Sequence, residues 1–281
     1  MRTSELTLLI PCYNEAENIP VVLPEMIEFA RAHNFKIVLV NDGSSDNSKI
    51  ELAKFDDRSL LTIVHHKLNR GYGAALKSGL KQCETEYTIT LDADGQHRLE
   101  DVLKLFEYIK EHDGDMVIGS RKGQKSASSF RGIGKFFIRS IAKILMKVPV
   151  YDINSGMKIF RTELAQKYLP IYPDGMSFSD IMTLTFLFKR DLVFEVPITI
   201  KSRRAGKSTI GVKTAFETVN AIVNIIVLFN PMKIFLPTAL LFIGLGFGWG
   251  IPILLIGNGV SVGAGFLILV VVFSLLFGLI V

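Results

Sequence analysis

The chain has 281 residues, 49% of them hydrophobic, a formal net charge of +5 and two cysteines. Two cysteines without metal-type spacing exclude a disulfide scaffold or a zinc cluster and leave Cys12 and Cys83 as free thiols in a reducing compartment. The charge is confined: every Asp, Glu, Lys and Arg lies at or before Lys233, so a soluble-type domain precedes an apolar tail of 48 residues, Ile234 to Val281.

At the start, Met1-Arg2 is followed by Leu6–Ile10, an apolar run too short for a signal peptide and leading straight into a turn. Leu6–Ile10, Lys36–Val40, Leu61–His65, Tyr87–Leu91 and Asp115–Gly119 read as strands. Amphipathic segments near Glu17–His33, Asp46–Phe55, Gly73–Gln82 and Leu99–His112 read as the helices between them. This alternation predicts βαβ units and a mainly parallel sheet, an α/β fold. In such sheets ligands bind beyond the carboxyl ends of the strands. The unusual residues lie there: Pro11-Cys-Tyr-Asn-Glu15, Asn41-Asp-Gly-Ser-Ser-Asp46, Asn69-Arg-Gly-Tyr-Gly-Ala-Ala75, Asp92-Ala-Asp-Gly-Gln-His97 and Gly119-Ser-Arg121. One such loop is an ordinary turn or cap; five on one rim are not explained by capping.

Asp92 and Asp94 are the sharpest feature. Two carboxylates two residues apart, just past an apolar strand, point the same way if the extended path continues. Unpaired they repel, and a divalent cation resolves the repulsion. Mg²⁺ or Mn²⁺ takes oxygen ligands, often one or two carboxylates completed by substrate phosphates, and Gln96 offers a further oxygen. The alternative is a polar turn capping the helix at Leu99.

In this order and spacing, IPCYNE, VNDGSSD, NRGYGAALKSG, DADGQH and IGSR resemble family 2 glycosyltransferases of the GT-A fold. Within that family the chain is most similar to the dolichyl-phosphate mannose synthase-like, polyprenyl-phosphate glycosyltransferases, over essentially its whole length. The resemblance implies a Rossmann-like catalytic domain using a nucleotide-sugar, GDP-mannose or a UDP-hexose. Pro11, Tyr13 and Glu15 would line the base and ribose pocket, with Asp42 contacting base or ribose. Asp92, Asp94 and Gln96, with Ala93 on the same loop, would hold Mg²⁺ or Mn²⁺ on the donor diphosphate. Arg121 would reach phosphate oxygens.

Arg121 to Lys147 contains eight basic residues and no acid, and Arg131, Lys135, Arg139, Lys143 and Lys147 recur every four residues. A basic stripe among apolar residues suits a helix at about 130–147 lying in the bilayer interface; a nucleic-acid patch is the less favoured reading. Asp152-Ile-Asn-Ser-Gly-Met-Lys-Ile-Phe-Arg161 resembles the family segment that helps floor the site. Ser177-Phe-Ser-Asp180 falls where the family closes the acceptor side, making Asp180 a candidate acid there. Arg203-Arg-Ala-Gly-Lys-Ser208 matches the family's R-x-x-G-x-S, so Arg203 and Ser208 are assigned, with Arg131, to the acceptor phosphate. The lysine that often follows that serine is Thr209 here, and Lys207 is the substitute for its charge.

The tail reads as two spans, 234–256 and 260–281, around Gly257-Asn258-Gly259. A helix of 23 residues is roughly 34 Å long, enough for a hydrocarbon core of about 30 Å. Residues 1–212 therefore form the catalytic domain, 213–233 a juxtamembrane helix and 234–281 a transmembrane hairpin. Arg203, Arg204, Lys207, Lys213 and Lys233 precede the first span while the linker between spans has no basic residue, which places the large domain in the cytoplasm. A polyprenyl phosphate, anionic near neutral pH, needs cations rather than a base, and the resemblance implies single displacement with inversion. The rivals are a hydroxyl-directed membrane glycosyltransferase and a non-catalytic scaffold. Self-association is left open.

Overall fold

The computed structural model describes residues 4–122 except Asp56 and Arg58, 149–201, five positions between 220 and 227, and 230–280 except Asn258. The first half follows the expected alternation: β1 (Leu6–Cys12), α1 (Ile19–His33), β2 (Lys36–Asn41), α2 (Ser48–Leu52), β3 (Leu61–His65), α3 (Tyr72–Leu80), β4 (Tyr87–Thr90), α4 (Leu99–Glu111) and β5 (Met116–Ser120). The second half adds β6 (Lys158–Arg161), α5 (Thr162–Lys167), α6 (Phe178–Lys189), β7 (Val193–Pro197), α7 (Met232–Leu255) and α8 (Val262–Ile280).

Seven strands form one sheet in the order β3-β2-β1-β4-β6-β5-β7. The pairs β1–β2, β1–β4, β2–β3 and β5–β7 are parallel, whereas β6 runs antiparallel to both β4 and β5. In β1 consecutive residues are buried on both faces rather than alternately, because both faces of the sheet are covered: Leu6, Leu8, Leu9 and Ile10 are all buried. Ile37, Leu39, Ile89, Val117 and Ile159 pack with Val22, Leu23 and Met26 of α1 and Val102, Leu105 and Ile109 of α4 in one core. Asn34, in the left-handed conformation, ends α1 by donating its N–H to Ala30 and Arg31 carbonyls. Glu100 and Asp101 open α4 and Lys110 closes it, each sign set against the opposing pole of the helix dipole. Cys12 and Cys83 are buried free thiols, and burial pushes each up to about 12.

The chain divides into two compact units, one holding the sheet and the other the apolar hairpin. Within the hairpin, α7 and α8 run antiparallel: the Phe235 ring stacks on Phe277 at 6.4 Å, and at the other end Gly250 lies against Ala264. Both helices are long and apolar enough to cross a membrane. Their outer residues differ from those of a soluble core helix, since Leu240 is 59%, Trp249 61% and Phe266 65% exposed. The helix expected at about 130–147 lies outside the described residues. So does most of the expected juxtamembrane segment, apart from a few helical positions.

Candidate active site

All the parallel strands end on one rim of the sheet. The antiparallel β6 adds to it from the other direction, bringing the turn that precedes it, 152–157, to the same edge. The loops after β1 and β2 are clipped together there. Asn14 stands in the left-handed region (φ 55°) and its Oδ1 accepts the Ser45 N–H at 2.8 Å. The Asn14 and Glu15 N–H groups donate to Ser44 Oγ (3.0 Å) and Ser48 Oγ (2.9 Å), and the Ala16 N–H to Asp46 Oδ2 (3.1 Å). These bonds fix the Pro11–Glu15 segment, leaving the Tyr13 side chain exposed above the rim and Glu15 bonded to the Asn18 amide at 2.5 Å.

Asp42 is buried and gathers three donors: the N–H of Arg70 (3.0 Å), the N–H of Gly71 (2.8 Å) and His66 Nδ1 (2.6 Å). It thus holds the loop after β3 against the loop after β2. The glycines of that third loop answer to packing. A Cβ on Gly73 would lie 2.2 Å from the Pro173 carbonyl oxygen. Lys77 fastens the same contact through the Tyr172 carbonyl (2.9 Å) and Asp174 (2.8 Å).

Asp92 and Asp94 follow β4 in different surroundings. Asp94 is 2% exposed, and its Oδ1 accepts the Gln96 N–H at 3.0 Å. Ala93 between them is buried. The Asp92 side chain is 38% exposed, and three neighbours set its direction. His97 Nε2 lies 3.3 Å from Oδ2, the Tyr72 phenol bonds to the carboxylate, and Gly156 offers a seat where a Cβ would stand 2.8 Å from Oδ2. Burial first, then the Asp92 charge, raise Tyr72 well above the usual phenol range, so it serves only as a donor. His97 Nδ1 is buried without a partner among the described residues. An orphaned lone pair costs less than an orphaned N–H, which assigns the imidazole proton to Nε2, facing Asp92. Gln96 is tied to Lys201 by its side-chain amide (3.2 Å) and its carbonyl (2.9 Å). Among the described residues no cluster of three or more His, Cys, Asp or Glu could cage an ion. Two carboxylates and an amide on one loop form a partial, all-oxygen set, which fits Mg²⁺ or Mn²⁺ completed by phosphate oxygens and water.

Arg121, past β5, is bonded to the turn that precedes β6. Its Nε and Nη2 grip Asp152 in two parallel bonds of 2.7 Å, and Nη2 also reaches Asn154 at 2.7 Å. The guanidinium is committed first to this turn, because Asp152 is itself anchored by Glu195, which accepts the Tyr151 and Asp152 N–H groups at 2.8 Å each. Burial alone would raise the Asp152 carboxyl; the Arg121 hydrogen bonds and charge outweigh it and hold it below the usual range. Below this turn, Lys158 is fully buried in β6 and donates to the Ile153 carbonyl (2.8 Å) and to the Ser179 carbonyl and Oγ (2.5 Å each). Asp180, buried in the first turn of α6, is the acid nearest to that ammonium in effect.

The structure therefore brings Pro11, Tyr13, Glu15, Asp42, Asp92, Ala93, Asp94, Gln96, Arg121 and Asp180 to one rim. Arg131, Arg139, Arg203, Lys207 and Ser208 lie outside the described residues. Sequence reasoning missed Tyr72, His97, Lys158 and Glu195. Lys158 had a signal, a lone charge inside the apolar run Met157–Phe160, whereas Glu195 had none, its partners being two backbone N–H groups 43 and 44 residues away.

The family model of glycosyl transferase family 2 matches residues 7–169, the span that carries β1 through α5. The chain belongs to glycosyl transferase family 2. Two curated relatives are an undecaprenyl-phosphate 4-deoxy-4-formamido-L-arabinose transferase of Proteus mirabilis and a dolichol-phosphate mannosyltransferase of Pyrococcus furiosus. The first is 28% identical over 74% of this chain and 63% of its own length, the second 29% over 76% and 61%. The chain thus spans less than two thirds of the length of either. Among solved structures, glucosyl-3-phosphoglycerate synthase from Mycobacterium tuberculosis, in complex with Mn²⁺, UDP and glucosyl-3-phosphoglycerate, shares the fold. Its TM-score is 0.59 at 14% identity over 79% of both chains. The Staphylococcus aureus TarS 1–349 complex with UDP-GlcNAc also shares it, with TM-score 0.58 and 19% identity over 79% of this chain and 66% of that one.

Proposed function

We propose that this family 2 chain is an enzyme that transfers a sugar from GDP-mannose or a UDP-hexose to a polyprenyl phosphate, with inversion, at the cytoplasmic face of a membrane. The observation that carries the reading is the convergence of the clipped β1 and β2 loops, the Asp92–Gln96 loop and the Arg121–Asp152 pair on one rim. The lipid acceptor is supported by the two curated relatives and by two helices of membrane-crossing length and composition. The cytoplasmic face is supported by the basic residues from Arg203 to Lys233 and the uncharged linker between the spans.

A divalent ion, Mg²⁺ or Mn²⁺, held by Asp92, Asp94 and Gln96 would supply positive charge to the leaving diphosphate. Pro11, Tyr13, Glu15 and Asp42 bind the nucleoside end, Asp42 also keeping the third loop in place. Arg121 keeps the Asp152 turn rigid and adds positive field to the phosphate region. Arg131, Arg203 and Ser208 receive the acceptor phosphate. That phosphate, with a second pKa of about 6, is already a nucleophile near neutral pH, so no residue needs to take a proton from it. A hydroxyl acceptor would demand a base. Asp180, the one nominee, is buried beside an ammonium and suits an electrostatic part better.

Two measurements on the full chain test this. Nucleotide-sugar binding should require Mg²⁺ or Mn²⁺ and be lost in Asp94→Ala with the fold retained; metal-independent binding unaffected by Asp94→Ala contradicts the donor site. Transfer should occur with polyprenyl phosphate and not with the matching alcohol; transfer to the alcohol favours the hydroxyl-directed reading.

A further inference from the structure

We propose that Lys158 is a positioning residue for the transfer step, its ammonium fastening the first turn of α6, and so Asp180, to the Asp152–Gly156 turn that seats Asp92. The inference rests on the glycosyltransferase reading above. Lys158 is 1% exposed, in a strand flanked on both sides by β4 and β5. An ammonium has three N–H groups, and here three acceptors meet them: Ile153 O, Ser179 O and Ser179 Oγ. Ile153 belongs to the turn that continues through Ser155 to Gly156, whose missing Cβ makes room for the Asp92 carboxylate. Ser179 is the second residue of α6, immediately before Asp180. Further bonds follow the same seam, from Ser179 Oγ to the Ser155 carbonyl (2.6 Å) and from Thr183 Oγ1 to the Ile153 carbonyl (3.1 Å). The helix on the proposed acceptor side and the turn under the proposed metal ligand are thus held by one buried cation.

Its environment makes that cation conditional. Burial disfavours the charge most strongly; Asp180 on α6 and Asp152 on the turn favour it, and Arg121 opposes it, leaving the lysine drawn down to about 7. A neutral amine has two N–H groups for three acceptors and turns its lone pair on one of them. Raising the pH through about 7 therefore opens the clasp. The stability sign is the reverse. The unfolded lysine titrates near 10.4, so between about 7 and about 10 the unfolded chain holds a proton the folded one has released. Stability from this group then rises with pH. Activity falling while this group's contribution to stability rises is a signature that a merely structural lysine does not give.

The test compares the full chain in detergent with its Lys158→Met and Ser179→Ala variants, from about pH 6 to about pH 9, a range that spans the lysine's transition. Metal-dependent nucleotide binding, kcat with polyprenyl phosphate and stability are read on each. Lys158→Met should bind nucleotide, lose roughly tenfold or more in kcat, and lack the alkaline fall of the wild type. Wild-type stability should gain on that of Lys158→Met as the pH rises. Ser179→Ala removes one acceptor of the charged form, so its alkaline fall should move to lower pH; this variant alone decides if Lys158→Met does not fold. A Lys158→Met enzyme with wild-type kcat and pH profile, or an unmoved Ser179→Ala midpoint, overturns the inference while leaving the transferase reading standing. Absence of transfer in the wild type overturns both.

Discussion

Asp92 and Asp94 stand two residues apart, yet one is buried against its own loop and the other is turned outward by its neighbours. The sequence made the pair legible, since two carboxylates after an apolar strand have little structural use. It did not make the aim legible, because Tyr72 and His97 reach Asp92 across a turn and a loop that spacing does not join. Tyr72→Phe removes a donor while keeping the ring. It should weaken Mn²⁺-supported nucleotide binding by roughly tenfold, the usual scale for an outer partner of a metal ligand. Titration calorimetry checks it, and unchanged affinity would show that Gly156 and His97 orient Asp92 without the phenol. For Arg121 the resemblance implied a phosphate contact, and its pairing with Asp152, 31 residues later, had no signal in the sequence.

At the level of elements, β1 through β5 and the helices between them were readable because short apolar-rich runs bounded by turn residues alternate with amphipathic segments. The antiparallel β6 and its place between β4 and β5 were not. Four residues, one of them lysine, carry no period, and only pairing with both neighbours defines them. This strand and the turn before it bring Gly156, Asp152 and Lys158 to the rim, so this part of the rim was less legible than the loops after β1, β2 and β4. The proposed nucleotide pocket depends on the clasp between the first two loops. Asn14→Ala loses the bond to Ser45 and replaces asparagine, which tolerates the left-handed region, by alanine, which tolerates it less, costing about 1–2 kcal/mol. Nucleotide affinity should fall with it, while Asn14→Gly, which relieves only the backbone term, should recover stability more than affinity. Thermal melts beside nucleotide titrations separate the two; equal recovery of both would mean that the clasp does not shape the pocket.

For the molecule as a whole, the uneven placement of charge was the first feature of the sequence and remains the one that divides it. The charged residues build the sheet unit, and the uncharged tail builds an antiparallel hairpin whose outer surface is apolar. Truncation after Lys233 should leave nucleotide binding near that of the full chain but cut transfer to a long-chain acceptor in bilayers. Basic residues near the surface would retain part of it on anionic vesicles, at about 1 kcal/mol each. Liposome assays with long and short acceptors check this, and full activity of the truncated form on the embedded acceptor would make the hairpin dispensable.

The central claim is transfer of one sugar to a lipid phosphate. Its most direct measurement is mass spectrometry of the lipid after incubating the full chain with Mg²⁺ or Mn²⁺, polyprenyl phosphate and a panel of GDP- and UDP-sugars. The expected product is the acceptor carrying one additional sugar and still a single phosphate, formed with one donor and absent when the metal is chelated. A lipid diphosphate-sugar, a sugar on the lipid alcohol, or unchanged lipid with every donor would contradict the account.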